Sequence, residues 1–126
     1  YLGVASALVE RVLAGGRGDA TERTQLAVEI EGAMAALEGV ARAMQTRERG
    51  EDILVQSLFV RVAVQQAIER ASARAAELLG GMAFIGSPDV AYLLSASRAL
   101  AFHPPSRLSV APALDEYLKG KPMLVA

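Results

Sequence analysis

The sequence predicts an all-α protein: an antiparallel up-down four-helix bundle with a short extra C-terminal helix. Apolar residues recur every three or four positions over long stretches, and no segment keeps the two-residue alternation of a strand. Glycines and prolines divide these stretches by mostly short loops, which makes successive helices antiparallel neighbours. The apolar residues make up 52% of the chain and are aliphatic, with only 5% aromatic residues, which suits closely packed helices.

The first two helices are predicted from apolar stripes that glycines separate. The first helix runs from Leu2 to Ala14 and ends at the glycine-rich segment 15–18. Either Asp19 or Thr21 can cap the second helix, which extends from Glu22 to Glu48. Its predicted inward positions are Leu26, Ile30, Met34, Leu37, Ala41 and Met44.

The remaining helices begin or end at glycine and proline. The third helix covers about Ile53 to Leu79 and stops at Gly80-Gly81, where one glycine can take a left-handed conformation. After a short apolar loop, Pro88 opens a fourth helix that closes on Phe102-His103-Pro104-Pro105. A short last helix spans roughly Pro112 to Lys119. The inward residues of the third helix are predicted to be Leu54, Leu58, Val62, Ile68, Ala71, Ala75 and Leu78.

Composition excludes several classes of protein. A chain of 126 residues fits one domain, and a net charge of −1 disfavours nucleic-acid binding, which needs a basic surface. With one His and no Cys, neither a His-pair nor a thiolate metal site can form, so no metal is expected. Apolar runs are broken by charge before the ~20 residues that a membrane span needs. Because the chain opens with Tyr1 and shows no signal segment, we expect a piece of a longer, cytoplasmic polypeptide.

The candidate chemistry of the residues themselves is limited to His103. This histidine lies where Pro104 forces a helix to stop, and Arg98 and Arg107 flank it in the sequence. Nearby positive charge would favour the neutral, proton-accepting ring, which is compatible with a base. A histidine is also favoured at a helix end for its interaction with the helix dipole, and this alternative stays open.

The segment Glu77-Leu78-Leu79-Gly80-Gly81-Met82-Ala83, followed by a helix that Pro88 starts, resembles the C-terminal helical domain of the acyl-CoA dehydrogenase family. That family places a Gln early in its second helix, a basic residue midway along the third and a Gln-x-x-Gly-Gly-x-Gly stop. Gln25, Arg61, Gly80 and Gly81 match these places, whereas Glu77 replaces the Gln of the stop. The resemblance implies FAD as the cofactor, with Gln25, Glu77, Gly80 and Gly81 as binding residues.

The chain departs from the family at the catalytic positions. The Arg-Asp-Ala element is replaced by Leu94-Ser95-Ala96, and the Arg-x-x-Phe-Gly segment after the first helix is missing. Straight-chain members use a glutamate of a Glu-Gly-Thr motif as the base. An ungapped count from Pro88 brings that position to His103, which the resemblance therefore makes the candidate catalytic base.

The resemblance implies part of an oxidoreductase that converts an acyl-CoA thioester to the 2,3-enoyl-CoA in fatty acid metabolism. Its expected partners are the acyl-CoA, the other domains of the same chain, and further copies in a homodimer or tetramer, or a second subunit in a heteromer. The isolated chain is expected to be inactive and to self-associate. Two alternatives remain: a non-catalytic scaffold subunit of a heteromeric dehydrogenase, and a flavin-dependent oxygenase or nitro-compound oxidase on the same fold.

Overall fold

The computed structural model of the chain describes residues 1–46 and 50–124, and within them every regular element is helical. The elements in chain order are α1 (Leu2–Ala14), α2 (Ala20–Gln45), α3 (Glu51–Leu79), α4 (Gly81–Gly86), α5 (Pro88–Ala96), a 3-10 turn (Ala99–Ala101) and α6 (Arg107–Leu118). The predicted all-α class is confirmed. The four-helix bundle arrangement stays a prediction, and the predicted end of the second helix at Glu48 lies outside the described residues.

The long helices α2 and α3 form the main pair of the structure and run antiparallel. Glu22 of α2 is bonded to Arg74 of α3, whereas Glu29, further along α2, is bonded to Arg70. The order of these partners is reversed along the two helices, as antiparallel packing requires. Helix α1 packs against both members of the pair, and α5 packs against α1 and α3.

The side chain of the residue before α2 fixes where that helix starts. Asp19 caps α2 in a reciprocal box, because its Oδ1 accepts from the backbone N–H of Glu22 at 2.8 Å while the Glu22 carboxylate accepts from the Asp19 N–H at 3.0 Å. Of the two caps predicted for this helix, Asp19 is therefore the one used. Pro88 is the first residue of α5, as predicted.

Three predicted boundaries are wrong. The loop expected after Gly80-Gly81 is the short helix α4. The helix that starts at Pro88 ends at Ala96 rather than at Phe102, and a 3-10 turn follows it. The last helix begins at Arg107 rather than at Pro112, because Ser106 accepts a capping hydrogen bond from the N–H of Ser109 at 3.2 Å.

Two apolar clusters hold the helices together. The larger joins α1, α2, α5 and the C-terminal half of α3, with Leu8, Val12, Leu26 and Ile68 almost entirely buried. The smaller joins Val55 and Leu58 of α3 to Val110 and Leu114 of α6. These clusters place the junction of α3 and α4 at one end of the molecule and α6 toward the other.

Several apolar residues that were predicted to face inward are exposed. Met34, Leu37, Met44 and Leu54 expose 42%, 37%, 53% and 43% of their surface. The 13 residues of α1 span about 20 Å, whereas the 26 and 29 residues of α2 and α3 span about 39 and 44 Å. Helix α1 is thus too short to cover the whole α2–α3 pair, and the apolar stripe continues past its end.

Candidate functional site

The junction between α3 and α4 is built on glycine. Gly80 takes φ 86° and ψ 165°, a region that is essentially reserved for glycine, and its N–H still bonds to the carbonyl of Ala76 at 3.1 Å. A Cβ atom placed at Gly80 or Gly81 would meet no heavy atom within 4 Å. The chain therefore turns sharply here and leaves its backbone open to the surroundings.

This open backbone borders a hollow of about 410 Å³ between the end of α3, α4 and the end of α5. Its lining is mostly apolar and includes Ala73, Ala76, Phe84, Ile85 and Leu94. Ile85 is 81% exposed, so the apolar surface continues out of the hollow toward solvent. A volume of this size is within the range of sites that bind small molecules and cofactors.

Two oppositely charged side chains, Glu77 and Arg98, border the hollow. The Oε2 atom of Glu77 accepts a hydrogen bond from Arg74 at 2.7 Å, and Arg74 also binds Glu22 across the helix pair. Hydrogen bonding to Glu77, together with the charge of Glu22, raises the pKa of Arg74. Arg98 has no ion pair and no side-chain hydrogen bond within residues 1–46 and 50–124. The hollow thus combines an anchored carboxylate with an unpaired guanidinium.

Gln25 lies on the exposed side of α2 and is not among the residues that line the hollow. Its side chain bonds instead to Glu29, whose carboxylate receives two hydrogen bonds from Arg70 at 2.9 and 2.8 Å. These Arg70 bonds are the main cause of a lowered pKa of Glu29. The structure therefore brings Glu77, Gly80 and Gly81 together but leaves Gln25 in a separate polar cluster between α2 and α3.

Arg61 and His103 meet at a second place, far from the hollow. Arg61 donates from Nε to the carbonyl of Pro105 at 2.9 Å and from Nη2 to the carbonyl of His103. Its contact with the carbonyl of Leu100 is longer, at 3.5 Å. Arg61 lies 12 positions before Ala73 and 19 positions before Gly80, so about 18 to 28 Å of helix axis lie between Arg61 and the residues of α3 and its end that line the hollow.

The His103 ring is exposed and lies against Tyr1. Its Nδ1 is 3.2 Å from the Tyr1 hydroxyl, and the two rings meet edge to face with centroids 5.9 Å apart. The arginine that contacts residue 103 is Arg61, through the backbone, whereas Arg98 lies at the hollow. The flanking arginines of the sequence are therefore not the ones that fix this histidine. The Nε2 atom has no hydrogen bond within the described part of the chain.

Sequence reasoning missed Arg98, Phe84 and Ile85 as residues of the hollow. One signal was available, since Leu94 and Arg98 are four residues apart and helical spacing places such residues on one face. Phe84 and Ile85 were assigned to a loop, and only the formation of α4 brings them to the hollow. Among the described residues, no cluster of His, Cys, Asp and Glu could hold a metal ion, and no helix is long and apolar enough for a membrane crossing.

The chain is similar to isobutylamine N-hydroxylase of Streptomyces viridifaciens, with 48% identity over 123 residues. These residues are 98% of this chain but only 32% of the hydroxylase. No protein-family model and no solved structure matches the chain. The chain is thus a close relative of about one third of an enzyme that oxidises the nitrogen of an alkylamine.

Proposed function

We propose that this chain is the helical C-terminal part of a flavin-dependent oxidoreductase that hydroxylates the nitrogen of a small primary alkylamine. The observation that carries the proposal is the 48% identity to isobutylamine N-hydroxylase over nearly the whole chain. Of the alternatives that the sequence left open, this one corresponds to the flavin-dependent oxygenase. The activity, substrate and partners of the whole protein belong to this proposal, since the chain spans only about a third of that relative.

The hollow fits the role of a wall for FAD. Gly80 and Gly81 present backbone without side chains, so a dinucleotide can approach the peptide groups closely. The apolar lining of the hollow suits the planar ring of a nucleotide base. At the border of the hollow, Glu77 supplies a hydrogen-bond acceptor and Arg98 a positive charge. We assign Glu77, Gly80 and Gly81 to FAD binding. Gln25 is also proposed as an FAD contact, through a different portion of the cofactor, because it lies outside the hollow.

The reaction balances with a reduced flavin as the two-electron donor. One alkylamine, one dioxygen and one reduced flavin give one alkylhydroxylamine, one water and one oxidised flavin. When bound, the flavin supplies the activation of dioxygen, and the protein supplies orientation, exclusion of water and proton management. A primary alkylamine is mostly protonated at neutral pH, and only the free amine has the lone pair that attacks oxygen. The enzyme therefore needs a group that accepts a proton.

His103 is our candidate for that proton acceptor. A neutral imidazole can accept a proton from an alkylammonium at Nε2 while Nδ1 contacts the Tyr1 hydroxyl. Arg61 acts as a positioning residue, because its guanidinium holds the carbonyls of residues 103 and 105. The exposed ring would be enclosed by the other domains of the same chain or by another subunit of a homodimer, tetramer or heteromer.

Acyl-CoA oxidation is the second candidate, favoured by the Gly80-Gly81 stop and the Pro88-started helix that resemble acyl-CoA dehydrogenases. Its base in straight-chain members is a carboxylate, whereas residue 103 of this chain is a histidine. The third candidate is a scaffold subunit without activity. The three candidates differ in flavin content and in the substrate that is consumed, so one experiment can separate them.

The experiment uses the longer polypeptide that contains this chain, purified and supplied with a flavin reductase, NADH and dioxygen. We expect a yellow protein that converts isobutylamine to its hydroxylamine, detected by mass spectrometry, and that does not oxidise butyryl-CoA. Oxidation of butyryl-CoA without amine turnover would instead establish the dehydrogenase. A colourless, inactive protein that gains flavin only with a second subunit would establish the scaffold. A His103→Ala variant should lose amine turnover and retain FAD.

A further inference from the structure

The contact between Tyr1 and His103 joins two parts of the chain that are 102 positions apart in the sequence. The Tyr1 hydroxyl lies 3.2 Å from Nδ1 of the histidine, within the range of a hydrogen bond. We propose that Tyr1 is a positioning residue, which keeps His103 in the tautomer that has a proton on Nδ1 and a bare Nε2. The inference rests on the proposed function, in which Nε2 accepts a proton from the alkylammonium substrate.

The direction of this hydrogen bond decides whether His103 can accept a proton at Nε2. A neutral imidazole carries one ring proton, so one nitrogen is a donor and the other an acceptor. If the Tyr1 hydroxyl donated to Nδ1, the ring proton would lie on Nε2 and neither nitrogen would be free to accept. If the hydroxyl oxygen instead accepts from the N–H at Nδ1, Nε2 is bare, and no hydrogen bond within the described residues occupies it.

The accepting direction is also the one that persists through the proton transfer. An N–H bond of the alkylammonium breaks, its electron pair stays on the amine nitrogen, and the proton forms a bond to Nε2. His103 is then an imidazolium, in which both ring nitrogens are donors. A Tyr1 oxygen that already accepts from Nδ1 keeps its hydrogen bond, which becomes charge-assisted and therefore stronger. A Tyr1 hydroxyl that donated would first have to release Nδ1.

The packing of the helices holds both partners of this contact. Tyr1 is the N-cap residue of α1, its carbonyl accepts from the N–H of Ala5 at 3.4 Å, and the next residue, Leu2, is buried in the larger cluster. On the other side, Arg61 holds the backbone carbonyl of His103. The two rings meet edge to face with centroids 5.9 Å apart. Because Tyr1 is 48% exposed, its O–H can donate to water while its oxygen accepts from Nδ1.

The first test is nitrogen-15 NMR of the 126-residue chain, in which His103 is the only histidine. Spectra are recorded on the neutral ring, whose protonated and bare nitrogens give separate signals, and we expect the protonated one to be Nδ1. Tyr1→Phe keeps the aromatic ring and removes only the oxygen, so it should shift the tautomer ratio toward a protonated Nε2 about tenfold. Tyr92→Phe is the matched control and should leave the ratio unchanged, because Tyr92 is 71% exposed on α5 and its hydroxyl has no hydrogen bond within residues 1–46 and 50–124.

The second test measures isobutylamine turnover by the longer polypeptide that contains this chain. Tyr1→Phe should lower kcat about tenfold and leave KM and the FAD content unchanged, because the imidazolium loses its charge-assisted hydrogen bond. Tyr92→Phe should match the unaltered protein.

Three results would overturn the proposal. One is a protonated Nε2 in the unaltered chain, and another is an unaltered kcat in Tyr1→Phe. The third is an unchanged tautomer ratio in Tyr1→Phe, which would mean that the edge-to-face contact alone orders the histidine. Absence of amine turnover by the unaltered polypeptide would refute the proposed function separately, because the NMR measurement reads the tautomer without turnover.

Discussion

Replacement of Arg61 by Gln should loosen the segment that carries His103 and destabilise the whole domain. Arg61 donates to the carbonyls of His103 and Pro105, and the contact with Leu100 at 3.5 Å is too long to add much. A hydrogen bond from a charged donor contributes about 1.5–3 kcal/mol when its partner is otherwise left unsatisfied. Because these carbonyls are only partly buried and water can replace the guanidinium, we expect a total loss of about 2 kcal/mol rather than the full sum.

The assay is urea unfolding followed by circular dichroism, together with thermal unfolding. For a domain of this size, a loss of about 2 kcal/mol corresponds to a decrease in Tm of roughly 6 °C. Arg61→Lys should recover part of the loss, since an ammonium cannot reach both carbonyls in the fork geometry of a guanidinium. NMR should show that the contact between the Tyr1 and His103 rings disappears in Arg61→Gln.

The control for this prediction is Arg42→Gln, which removes an exposed pair with Glu38 one helical turn away. Such surface pairs contribute about 0.5 kcal/mol or less, so this variant should be nearly neutral. An Arg61→Gln protein as stable as the unaltered chain would refute the reasoning, as would an equal loss in both variants. Either result would mean that Arg61 does not fix the segment that ends in Pro105.

Three further predictions follow from backbone, charge and exposed surface. Gly80→Ala should lower the free energy of unfolding by about 1–3 kcal/mol because φ at residue 80 is 86°. Gly81→Ala should be nearly neutral because a Cβ atom at residue 81 would meet open space, so equal losses of stability for the two variants in urea unfolding would contradict the prediction. Because the pKa of Glu29 is lowered in the folded state, the stabilisation from its bond to Arg70 is complete above the unfolded pKa of about 4.3 and is lost as the pH falls through the lower folded pKa. Glu29→Gln should therefore flatten the pH dependence of the free energy of unfolding at and below about pH 4.3. Leu37→Glu should reduce self-association of the chain, measured by analytical ultracentrifugation, since Leu37 belongs to an exposed apolar stripe; a chain that is monomeric at every concentration before substitution would refute this.

The start of α5 and the ends of α1 and α3 were predictable because glycine and proline act locally. Gly15 lies immediately after α1, Gly80 immediately after α3, and Pro88 is the first residue of α5. The proline ring fixes φ at residue 88, and glycine lacks the Cβ atom that disfavours other backbone torsions, so these signals act without knowledge of the tertiary packing. The cap of α2 was narrowed to two residues because Asp and Thr side chains can accept from the first backbone N–H groups of a helix, and the structure selects Asp19.

The end of α5 depends on tertiary packing and was predicted too late. Pro104 is a strong stop signal, but the helix already ends at Ala96, where Ser97 is buried and donates to the carbonyl of Leu94 at 2.7 Å. The following 3-10 turn buries Leu100 in the main core. The burial of Leu100 is decided by contacts with other helices, which periodicity along one helix cannot show.

The candidate site was predictable in part for the same physical reason. Gly80 is recognisable because its φ of 86° is one that other residues rarely adopt, and the structure places Gly80 and Gly81 at an open hollow. The position of Arg98 in that hollow depends on where α5 ends, and the separation of Gln25 from it depends on the packing of α2 against α3. The spacing of Leu94 and Arg98 indicates a shared helix face, but it does not show which other helix that face meets, so neither position could be inferred from spacing alone.

The most direct test of the proposed function is the origin of the oxygen in the product. The longer polypeptide that contains this chain would be incubated with isobutylamine, a reduced-flavin supply and oxygen-18 gas in ordinary water. The proposal predicts that each hydroxylamine molecule carries one oxygen-18 atom by mass spectrometry, and that one flavin is oxidised for each hydroxylamine formed. A product that takes its oxygen from water, or flavin oxidation with unaltered isobutylamine, would contradict it.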